Sequence, residues 1–111
     1  MTFDHAAALP GEAPLTRLTR TTLADRLGKA LTQAIQAPVD ALPAIDVPLR
    51  AYVVHLKQNG ALPENAVVRV RETARRVAED ARLTTNADWT DPEMFVTHIE
   101  RRCFRAYYRA D

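Results

Sequence analysis

Residues 46–67 read DVPLRAYVVHLKQNGALPENAV, and the spacing within this stretch decides the fold. Leu49, Tyr52, Val53 and Leu56 recur at i, i+3, i+4 and i+7, which gathers them on one face of an α-helix. Asp46 stands where an N-cap would, with Pro48 in the first turn. Asn59-Gly60 ends the helix, since glycine tolerates the left-handed conformation of a helix terminus. Pro63 opens a third helix three residues beyond Gly60. So short a connection makes helices two and three direct neighbours.

The same reading extends both ways. Downstream, Val67, Val70, Ala74, Val77, Ala78 and Ala81 form the buried stripe of the third helix, and residues 83–90, with Trp89, form a loop. Asp91-Pro92-Glu93 then supplies an N-cap, an N1 proline and an acid for the first turn of a last helix. That helix turns Phe95, Val96, Ile99, Cys103, Ala106 and Tyr107 inward. Upstream, Pro38, Pro43 and Pro48 stiffen a connector whose Val39, Leu42 and Ile45 place it on the core. The first helix runs from Thr16 or Thr22 to Gln36, with Leu23, Leu27, Ala30, Leu31, Ala34 and Ile35 on one face. Thr22 and Asp25 stand at capping-box spacing. Residues 1–14 carry no periodic pattern and read as a mobile, disordered tail. The expectation is an all-α protein: one domain over 15–111, a compact bundle of about four helices, the second short.

Composition narrows the function classes. The 111 residues carry 15 basic and 14 acidic groups, a net +1 that gives no global steering toward nucleic acid or anionic membrane. Thirteen of the basic residues are Arg, the side chain suited to bidentate recognition of anions. The single cysteine excludes an intramolecular disulfide and a Cys-based zinc site. His5, His55 and His98 are scattered, so no metal or other cofactor is expected. Met1 to Ala13 lacks the basic and apolar segments of a signal peptide, and no run is long enough to span a bilayer. The expected place is the cytoplasm. Nor is a Gly-rich phosphate loop or a catalytic triad legible, so the expectation is a protein that is not an enzyme.

The last helix holds the pattern most open to function. His98, Arg101, Arg105 and Arg109 line one stripe opposite the apolar face, with Arg102 at its edge. None of the four arginines has an acid at i±3 or i±4, whereas Arg69, Arg75, Arg76 and Arg82 all do. Tyr107 and Tyr108 are adjacent, so one faces the core and the other solvent. Tyr and Arg are the residues enriched at interface hot spots. The leading expectation is a helical protein–protein interaction module, binding another protein or itself through His98, Arg101, Arg105, Tyr108 and Arg109. The alternative is nucleic-acid binding by the same stripe with Arg71, Arg75 and Arg102 added. A helix-turn-helix over Leu49–Arg82 is disfavoured by Glu64 and Glu72, which would repel phosphate.

His55, followed by Lys57 and Gly60, resembles the phosphorylated segment of histidine phosphotransfer domains, which are also four-helix domains of about this size. The resemblance implies phosphoryl transfer on His55 as a third reading. Those domains place Lys three and Gly four residues after the His, whereas here they follow two and five residues after it.

Overall fold

In the computed structural model, residues 14–81 and 91–109 are described. The tail expected over residues 1–14, apart from Pro14, lies outside them, as does the loop with Trp89. Four α-helices follow one another: α1 (Pro14–Gln36), α2 (Asp46–Gln58), α3 (Pro63–Asp80) and α4 (Pro92–Arg109). A 3-10 helix, Val39–Ile45, joins α1 to α2. Among the described residues there is no strand.

Proline and glycine set most of the helix ends. Pro38 lies two residues beyond Gln36, the last residue of α1, and Pro63 and Pro92 occupy the first positions of α3 and α4, where a missing N–H costs nothing. Gly60 takes φ 92°, and Ala61 N–H donates back to Leu56 O at 3.0 Å, closing the end of α2. Asp91 caps α4, its Oδ1 accepting from Glu93 N–H at 3.0 Å.

Two capping expectations are corrected. Thr22 lies well inside α1, and its hydroxyl donates to Leu18 O at 3.1 Å, one turn back. Thr21 does the same to Arg17 O. A threonine that back-bonds to i−4 is a helix-interior residue, so α1 begins far upstream of it. Asp46 is the first residue of α2 and makes no side-chain cap. Its carboxylate is drawn instead to Arg102, across the fold.

The connector does lie on the core: Leu42 and Ile45 are buried. The expectation that α2 and α3 are direct neighbours fails, because they make only sparse contact. The helices form a square in which α1 touches α2 and α3, and α4 touches α3 and α2. The physical cause sits at the turn. Tyr107 near the end of α4 donates its hydroxyl to Ala61 O at 2.7 Å, and Lys57 Nζ donates to Tyr107 O at 3.0 Å. The end of α4 is thus wedged beneath the α2–α3 turn and holds the two helices apart.

One apolar cluster fills the centre, with Leu27, Leu31, Ile35, Leu49, Val53, Leu56, Val70, Phe95, Ile99 and Cys103 buried within it. The stripes read for α2, α3 and α4 are those that face inward, with Ala106 only partly covered. Among the described residues, no helix is long and apolar enough to cross a membrane.

Candidate functional site

α4 packs against α3 on one edge and α2 on the other, leaving its outward face between two seams. At the α3 seam, Arg71 Nε donates to Glu100 Oε1 at 2.6 Å, and Arg75 Nη2 lies 3.6 Å from Glu93 Oε1. The higher α3 number meets the lower α4 number, so the two helices run antiparallel. That register sets Val68, one turn before Arg71, level with Phe104, one turn after Glu100. Both are exposed. The seam therefore changes along its length from ion pairs to apolar surface.

At the α2 seam, Arg102 Nη1 donates to Asp46 Oδ1 at 2.7 Å. Beyond this pair lies a groove of about 180 Å³, walled by Arg50, Arg102, Arg105 and Arg109 over Leu49 and Ala106. Like charges converge here. Among the described residues, Arg102 is the only one of the four within ion-pair reach of a carboxylate.

The residues expected to meet a partner are distributed over this face. Arg105 and Arg109 belong to the groove. Arg101 and His98 share a shallower hollow with Met94 and Thr97, closed at its rim by Asp91 and Glu93. His98 is half-buried, and Arg101 is exposed. Tyr108 stands between, 67% exposed, its ring edge-on to Tyr107 at 5.5 Å. Tyr107 is the inward member of the pair, with Lys57 Nζ 4.8 Å from its ring centroid. Among the described residues, Arg101, Arg105 and Arg109 have no ion-pair partner. The three arginines set aside for nucleic acid, Arg71, Arg75 and Arg102, are the ones that do.

Arg71 had no partner within its own helix, and its partner comes from α4. Arg75 has acids at helical spacing but reaches across to Glu93 instead. Two arginines of the third helix thus tie it to its neighbour. Arg50 and Val68 were not singled out by sequence reasoning. Asp46 stands four residues before Arg50, at the spacing of a helical pair, and only the fold shows that Arg102 takes that carboxylate.

His55 is half-buried, and its Nε2 is enclosed with no hydrogen-bond partner among the described residues. Lys57, its neighbour, is engaged with Tyr107. Cys103 is fully buried. Burial, and secondarily the charge of Glu100, push its thiol up to about 12, so it is a protonated, unreactive core residue at neutral pH. Tyr52 is also pushed up by burial, against the opposing charges of Arg69 and Arg20. Among the described residues no group of three or more His, Cys, Asp or Glu could hold a metal ion.

Compared with known proteins, the chain matches no family model, no curated protein and no solved structure, so the functional reading rests on this geometry.

Proposed function

We propose that the protein is a non-catalytic helical interaction module that binds an acidic segment of a partner protein across the outward face of α4. One observation carries the reading. Arg101, Arg105 and Arg109 stand without carboxylate partners among the described residues, beside the exposed rings of Tyr108 and Phe104. Elsewhere on α3 and α4 the chain pairs Arg71, Arg75 and Arg102 with acids from a neighbouring helix. A cationic face with aromatic side chains between the charges suits a partner that brings both carboxylates and apolar groups. Glu93 and Glu100 border the face on the α3 side, which disfavours a continuous phosphate backbone and favours a protein.

The test is fluorescence anisotropy with three probes: a short Glu-rich peptide containing Phe and Leu, a DNA duplex, and a single strand. The expected result is peptide binding that falls about thirtyfold in Tyr108→Ala, a hot-spot loss of about 2 kcal/mol, with modest salt dependence. Binding of the duplex or the single strand with a steep fall as salt rises would overturn the protein reading in favour of nucleic acid. Indifference to all three probes together with a discrete dimer in light scattering would make a second copy of the chain the partner.

A further inference from the structure

The groove between α2 and α4 has a different character from the open face beside it. It is concave, it gathers four guanidinium groups, and Leu49 on its floor is 1% exposed. Pockets for drug-sized ligands run to roughly 300–1,000 Å³, so about 180 Å³ suits a small charged group. We propose that this groove is a binding site for a phosphate-monoester dianion.

Arg50 carries the argument furthest. Arg109, in the last turn of α4, is placed where the helix dipole welcomes a cation. Arg50 has no such support: it lies just past the first turn of α2, toward the positive end of that helix. Asp46, four residues before it, is at the spacing to pair with it, yet its carboxylate is bound to Arg102 at 2.7 Å. Arg50 instead lines the groove with Arg105 and Arg109. An anion shared among them would relieve the repulsion and replace the missing partner. A phosphate monoester offers three terminal oxygens and a charge near −2 at neutral pH, matching several forked donors better than a single carboxylate does. Among the described residues Asp46 is the only acid in the groove lining, and by occupying Arg102 it competes with the ligand.

The proposal does not rest on the partner reading, and the experiment keeps the two apart. Inorganic phosphate, phenyl phosphate and a phosphoserine peptide are titrated at constant ionic strength into isotope-labelled protein while the arginine Nε–H signals are followed by NMR. The expected result is saturable movement of the Arg50, Arg102 and Arg105 signals. It should be stronger at pH 7.5 than at pH 5, since the second phosphate ionisation lies near about pH 6. Arg50→Ala should weaken binding by about tenfold or more, the weight of one charge-assisted hydrogen bond, and Asp46→Asn should tighten it. Arg101→Ala, outside the groove, and Tyr108→Ala should leave it unchanged. Thermal melts of each variant check that it folds. Shifts that track ionic strength without saturating, or that survive Arg50→Ala in a folded variant, would overturn the proposal. Saturation by phenyl phosphate assigns a free ester as ligand, and saturation by the peptide alone assigns a phosphorylated chain. Loss of the Glu-rich peptide in Tyr108→Ala with phosphate binding intact would show that the groove binds phosphate independently of the aromatic face, although the two share Arg105 and Arg109.

Discussion

Cys103 shows how one residue couples burial to pH. Its thiol is raised from an ordinary 9.0 to about 12, first by loss of water and then by Glu100. A raised folded value means that the folded state holds the proton more tightly than the unfolded chain does. The stability that this contributes is complete below pH 9, and is lost as pH rises from there through about 12. Alkaline titration followed by circular dichroism should show wild type losing stability over that window and Cys103→Ala losing less. At pH 8, a thiol reagent should react at the rate of unfolding, with added denaturant accelerating it. Prompt reaction in native buffer would contradict the burial. The position of Cys103 on the inward stripe was legible from spacing alone. The enclosure of His55 was not, because a polar residue beside an apolar stripe can fall on either side of the solvent boundary.

At the scale of elements, the turn between α2 and α3 concentrates several constraints. Gly60 holds φ 92°, and Ala61 contributes both a backbone donor to α2 and a carbonyl acceptor to Tyr107. Gly60→Ala should cost about 1–2 kcal/mol, the strain of a left-handed residue with a side chain, measured as a lower urea midpoint with unchanged slope. Helix ends of this kind were readable because proline and glycine act locally. Of the two starts read for α1, Thr16 lies close to the observed Pro14; Thr22 was a candidate because Thr22 and Asp25 fit a capping box as well as a helix interior, and only the back-bond to Leu18 distinguishes them. The connector's 3-10 geometry was also hidden. Pro43 within it breaks the periodicity that would announce a helix, although the burial of Leu42 and Ile45 followed from their apolar character.

For the whole molecule, the question is which force holds the square of helices together. The ion pairs across the α3 seam are partly exposed: the Arg71 and Glu100 side chains keep 38% and 25% of their surface. Such pairs contribute about 0–1 kcal/mol. Ile99, fully buried beside them in sequence, should cost about 2–5 kcal/mol when cut to alanine. Urea denaturation of Glu100→Gln and Ile99→Ala should separate the two by at least about 1 kcal/mol; equal losses would mean that the seam is held by charge. The cross-helix pairs set register more than stability. They also explain why the functional face was only partly legible. The arginine stripe of α4 was visible, but that Arg102 is paired depends on Asp46 arriving from α2, while Glu93 and Glu100 of the same helix go to Arg75 and Arg71 of α3.

The wedge made by α4 also bears on how the chain is built. Residues 92–109 supply Phe95, Val96, Ile99, Cys103 and Tyr107 to the core and fill the space between α2 and α3. A ribosome that has released only α1, α2 and α3 has released three helices whose apolar cluster still lacks Phe95, Val96, Ile99, Cys103 and Tyr107. Closure waits for Tyr107 to clear the exit tunnel and reach Ala61. Until then the nascent chain presents the surface that chaperones hold, so folding of this bundle is timed by the synthesis of its last helix.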